Sequence, residues 1–155
     1  MEEKCLPRLQ KLCSKAEYCE ADIYRKALKA LDGDAQAAAK VLASLKEDRY
    51  VDNARYAAAF ARDKANFQGW GPVKIRFQLR AKGVSEADIS QALQEIEPAK
   101  AEEKMEKVLT AKARTLQGDP QFRLKLLKFG LTRGYDYDDV EAAVSKIIAT
   151  FAAAE

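Results

Sequence analysis

Displaced by 51 residues, this sequence falls on itself twice. GVSEADISQALQEI (83–96) lies over GYDYDDVEAAVSKI (134–147). Gly83 then meets Gly134, Ser85 meets Asp136, Asp88 meets Asp139, and Ile89, Leu93 and Ile96 meet Val140, Val144 and Ile147. One step earlier, DGDAQAAAKVLASL (32–45) lies over the same segment, placing Asp34 on Ser85, Ala38 on Ile89, Leu42 on Leu93 and Leu45 on Ile96. Each time a polar cap is followed by apolar positions four, eight and eleven residues on, which is a helical stripe. Chance similarity between amphipathic helices would not make one offset work twice with the caps in register. Copies of about 50 residues are each too small for a robust core and must pack on their neighbours. The expected fold is all-α: three tandem three-helix repeats, 1–48, 49–97 and 98–155, forming one elongated, curved unit.

The periodicity predicts helices over 5–17, 20–31, 34–46, 52–67, 72–82, 85–96, 98–117, 120–132 and 136–153. Several ends carry their own chemistry. Pro72 after Gly71 suits a first helical position, where no amide donor is needed. Ser85 and Asp136 precede acid-bearing first turns, and Asp119 with Pro120 repeats the cap-then-proline pattern. Gly83 and Gly134 follow basic stretches and suit left-handed positions just past a helix end.

Composition excludes much chemistry. The chain has no histidine, so the commonest general base and metal ligand is missing. Cys5, Cys13 and Cys19 form no CxxC pair, and their odd number argues for reduced structural thiols. No phosphate loop, dinucleotide fingerprint or nucleophile–base–orienter set can be assembled, so neither an enzyme nor a cofactor is expected. The beginning MEEKCLPRLQ lacks the apolar core of a signal peptide, and no apolar run reaches membrane-spanning length. The expectation is a cytoplasmic protein with no membrane partner. A net charge of +3 permits an anionic partner without announcing nucleic acid.

The segment 49–84 is the most distinctive. Tyr56 and Phe60 share a helix face, as helix-packing residues would. GWGP (69–72) is a sharp connection whose Trp70, if exposed, is a partner contact. Around it Arg62, Lys64, Lys74, Arg76, Arg80 and Lys82 are basic, with no acid from 74 to 82. On helix 72–82, Ile75 and Leu79 make one apolar face, and Val73 and Phe77 make another. A helix apolar on two sides is expected to pack between neighbours. The basic residues are then either a solvated face or a contact for an acidic protein surface or phosphates. A second basic segment without acids, Arg123, Lys125, Lys128 and Arg133, occupies the corresponding helix of the third copy, and its field adds to the first set if the fold brings both to one side. Asp136, Asp138, Asp139 and Glu141 lack the glycine turn and closing Glu of a calcium loop and are read as capping residues.

Residues 49–84 resemble the RecX family closely. The resemblance rests on Tyr50, Asp52, the run Arg55, Tyr56 and Ala57, then Phe60 and Arg62, the turn Gly69 to Pro72, and Ile75, Leu79, Lys82 and Gly83. AEYCEADIYRKAL (16–28) is similar to a first-repeat segment of that family, with Cys19 where a serine cap is usual. LTRGYDYDDV (131–140) is similar to a third-repeat segment, with Tyr135 at the aromatic site. The resemblance implies binding in the groove of the RecA–DNA filament and restraint of recombinase, ATPase and coprotease activity, by a cytoplasmic monomer without a cofactor. It also leaves room for direct contact with single- or double-stranded DNA. The contact residues expected on charge are Arg62, Lys64, Trp70, Lys74, Arg76, Arg80 and Lys82, with Arg123, Lys125 and Lys128 as a second patch. The competing readings are a module that binds DNA directly and a helical-repeat adaptor for another protein.

Overall fold

A computed structural model describes residues 2–154, and within them the chain is helical throughout, with no strand. The helices are α1 (Glu2–Lys15), α2 (Glu20–Ala30), α3 (Ala35–Glu47), α4 (Asn53–Asn66), α5 (Pro72–Ala81), α6 (Glu86–Gln94), α7 (Pro98–Thr115), α8 (Phe122–Thr132) and α9 (Tyr137–Ala154). These are the expected elements. The largest shift is at α1, which begins three residues earlier than its periodicity suggested and carries Pro7 inside it.

The repeat is written in the backbone. Gly33, Val84 and Tyr135 each donate their amide to the carbonyl five residues back, on Leu28, Leu79 and Gly130, at 2.8, 3.1 and 3.3 Å. Each residue just before these donors is left-handed: Asp32 (φ 54°), Gly83 (φ 80°) and Gly134 (φ 94°). This closure satisfies the orphan carbonyls at the ends of α2, α5 and α8. The next helix then starts in the same way. Asp34 Oδ1 accepts from Ala37 N at 3.1 Å and Ser85 Oγ from Asp88 N at 3.2 Å. Val140 N, in the first turn of α9, donates to Asp136 O at 3.0 Å. Four residues past each cap, Ala38, Ile89 and Val140 are fully buried. The position eight residues on is less uniform: Val144 is buried, whereas Leu42 and Leu93 are half-buried, and Val41 and Ala92 take the inner place.

The packing divides the chain into two units. One holds the residues up to Phe60 together with Leu79–Ala92. In it α1, α2 and α3 pack pairwise around Leu9, Ile23, Ala27, Val41, Leu45 and Val51. Cys19, at the N-cap of α2, gives no side-chain cap; Asn53 Oδ1 instead accepts from Glu20 N at 2.9 Å. Cys5, Cys13 and Cys19 are buried, and burial pushes the thiols of Cys13 and Cys19 above the usual range.

The other unit holds Ala61–Gln78 and the residues from Leu93 onward. Here α7, α8 and α9 pack pairwise around Met105, Leu109, Leu126, Val140, Val144 and Ile147. At Gly130 a side chain would stand 2.6 Å from Val140 Cγ1, so α8 and α9 meet closely only because that position is bare. Both α4 and α5 contribute residues to each unit.

The expectation that α5 is packed on two sides is corrected. Ile75 and Leu79 are buried, but Val73 is 53% and Phe77 68% exposed. The helix is held along the Ile75–Leu79 face, and its Val73–Phe77 face turns to solvent.

Candidate partner-binding surface

The GWGP connection is fastened to the end of α8. Gly71 N donates to Arg133 O at 2.8 Å and Val73 N to Gly134 O at 2.9 Å. A Cβ on Gly71 would lie 2.4 Å from the Gly134 carbonyl carbon, and one on Gly134 would lie 2.2 Å from Lys74 Cβ. Two backbones therefore touch where only glycine leaves room. The Tyr135 hydroxyl, buried beneath the turn, donates to Gly69 O at 2.8 Å. Burial raises the Tyr135 phenol above its ordinary value, against a smaller opposing pull from Arg133, so it stays a donor at neutral pH. Trp70 N closes the end of α4 by donating to Lys64 O at 2.9 Å.

This fastening presents the side chain of Trp70 between two lysines. Lys64 Nζ lies 4.8 Å and Lys74 Nζ 4.3 Å from the centre of its ring. The electron-rich indole face attracts such ammonium groups. Arg133 joins them at the turn, donating from Nη1 to Gln68 O at 2.8 Å, with its guanidinium 5.2 Å from the Phe129 ring centre. Arg62 is exposed near the end of α4, and Arg76 is half-buried on α5. Phe67, 75% exposed, and the Val73–Phe77 face add apolar surface on the same short stretch of chain.

Four of the other expected contacts are ion-paired. Arg80 is ion-paired with Glu86, which raises its pKa, and Lys82 Nζ lies 3.0 Å from Asp22. Both belong to the unit of α1–α3. On α8, Arg123 pairs with Glu141 at 3.0 Å and Lys125 with Asp119 at 2.6 Å. Lys128 is exposed. A neighbouring acid weakens the long-range field of a cation, so these four residues attract an anionic partner less than their number suggests. Arg133 was read only as one of the basic residues of the third copy, and Phe67 and the exposure of Phe77 were not singled out in the sequence. Arg133 had a signal, since it precedes the repeated glycine; the phenylalanines had none, because apolar spacing does not distinguish a covered face from an open one.

Among the described residues no group of three or more cysteines or carboxylates is arranged to hold a metal ion. No helix among them is long and apolar enough to cross a membrane.

A family model described as RecX, second three-helix domain, matches residues 52–93, the stretch that carries α4, the GWGP turn, α5 and α6. A crystal structure of regulatory protein RecX superposes with a TM-score of 0.80 at 28% identity, over 90% of this chain and 70% of that one. The chain belongs to the RecX family. Among curated relatives, the regulatory protein RecX of Clostridium botulinum is 33% identical over 119 residues, covering 74% of this chain and 55% of its own. That of Salmonella paratyphi A is 29% identical over 111 residues, or 72% and 66%. The match thus spans about two thirds or less of these relatives' length. The RecX structure from Lactobacillus salivarius, at 19% identity and a TM-score of 0.78, shares the fold over 96% of this chain and 97% of that one. The domain that matches the RecX family model contains Arg62, Lys64, Trp70, Lys74 and Arg76.

Proposed function

We propose that this chain is a non-enzymatic regulator that binds the RecA–DNA filament and restrains its recombinase, ATPase and coprotease activity. The observation that carries the reading is the Trp70 stack. Two lysines stand on one indole, on a turn held by backbone bonds, inside the stretch that matches the second three-helix domain of RecX. A rigid aromatic flanked by cations suits an acidic protein surface or a phosphate-lined groove, since little side-chain entropy is lost on docking. In this reading the three repeats, 1–48, 49–97 and 98–155, act together as a cytoplasmic monomer without a cofactor, in DNA repair and recombination.

The test is RecA ATPase on single-stranded DNA, titrated with this protein beside a naked-DNA binding control. Lower ATPase at concentrations that leave naked DNA unbound supports filament regulation. An unchanged ATPase would sink the proposal.

A second reading, direct DNA binding, is favoured by one observation: Phe67 and Phe77 are exposed aromatics among Arg62, Lys64, Lys74 and Arg76. Bases stack on such side chains while cations follow the phosphates. Tight binding to naked DNA with a steep salt dependence would favour this reading.

A further inference from the structure

Behind the Trp70 turn, the unit built on α7–α9 contains an open groove of about 500 Å³. Its walls are apolar, supplied by Trp70, Ile75, Ile96, Met105 and Ala143, and small alanines on α7 and α9 leave its depth unfilled. Its charged lining is one-sided: Glu102, Glu106 and Asp139 against Lys146. Lys146 is already taken, since its Nζ lies 3.2 Å from Glu106 Oε1. Glu102 and Asp139 are exposed and enter no ion pair among the described residues. The lysines near this site stand on Trp70 and do not line the groove.

We infer that this groove docks a short amphipathic segment of a protein partner, with apolar side chains on one face and Lys or Arg beside them. The apolar walls take the first and the Glu102 and Asp139 carboxylates pair with the second. A groove of this volume accepts a few apolar side chains from one helical face. The two acids disfavour a segment that carries carboxylates there, so charge selects the occupant. The groove shares Trp70 with the basic stack, but neither acid belongs to the proposed filament contacts, so the inference does not depend on the filament reading.

Trp70 is the chain's only tryptophan and lines the groove, so its emission reports occupancy. The probe is a synthetic peptide of about 14 residues with leucines at helical i, i+4, i+7 spacing and lysines elsewhere. Its counterpart replaces lysine with glutamate. The lysine peptide should shift Trp70 emission saturably and bind about tenfold or more tighter than the glutamate peptide. The double substitution Glu102→Lys and Asp139→Lys should remove that preference. Ala142→Phe, which fills the groove without touching charge, should weaken both peptides, with unchanged helical content confirming the fold. Equal binding of both peptides, an unaltered preference in the double variant, or no emission change overturns the inference. An emission shift that depends on protein concentration without peptide also overturns it, since the occupant would then be a second copy of the chain.

Discussion

Gly71 N donates to Arg133 O at 2.8 Å, joining the turn before α5 to the C-cap residue of α8 across more than a third of the chain's length. The bond exists because neither side of the contact carries a side chain: Gly71 faces the backbone of Gly134. In this chain the GWGP turn and the segment Arg133, Gly134 and Tyr135 are two halves of one contact.

Substitution should separate the two uses of glycine in this fold. Gly71→Ala places a Cβ 2.4 Å from Gly134 backbone atoms, which cannot rotate away. We expect a loss of about 3 kcal/mol in urea unfolding. At Gly83 a Cβ meets nothing within 4 Å, but φ is +80°. Gly83→Ala should cost only about 1 kcal/mol, from left-handed strain. Equal losses at the two positions would show that the backbone contact is not what Gly71 serves.

Tyr135→Phe removes only the hydroxyl that donates to Gly69 O at 2.8 Å. The carbonyl is left without this donor in a buried place, at a cost of about 1–3 kcal/mol. Because Gly69 adjoins Trp70, the emission of the single tryptophan should shift as well. A stability loss without a spectral change would place the hydroxyl's effect elsewhere than the turn.

The Asp22–Lys82 pair gives a pH signature. Burial pushes the Asp22 carboxyl up, but hydrogen bonds from Lys82 and Cys19 and the Lys82 charge outweigh it, and its net position is below the ordinary 3.8. A carboxyl depressed on folding stabilises the native state above its unfolded pKa, and that contribution disappears as pH falls through the folded value. The stability difference between the natural chain and Asp22→Asn should therefore be constant from neutral pH to about 5 and shrink below about pH 4. A difference that grows on acidification would contradict the pairing.

Much of this architecture was legible because it is local. The stripe of Ala38, Ile89 and Val140 and the caps Asp34 and Ser85 act within one helical turn, and periodicity reads that distance. The left-handed residue of the first copy was not seen, because Asp32 stands where the others have glycine and reads equally as a cap. Cys19 is a poor cap that nonetheless starts α2, since the acceptor comes from Asn53, far along the chain. The candidate surface was legible as composition but not as electrostatics. Arg80 has its acid six residues away, but Lys82 finds Asp22 sixty residues back, and no spacing rule anticipates that. The open face of Val73 and Phe77 has the same spacing as a buried one and was misread for that reason.

The central claim is that the lysines on Trp70, rather than basic charge in general, engage the filament. The direct measurement is co-sedimentation with RecA assembled on single-stranded DNA, comparing two double variants that remove the same charge. Lys64→Gln with Lys74→Gln strips the stack; Arg123→Gln with Lys125→Gln removes cations already paired with Glu141 and Asp119. The account predicts about a tenfold or greater loss of affinity for the first pair and less than about twofold for the second. Equal losses, or a larger loss from the α8 pair, would contradict it.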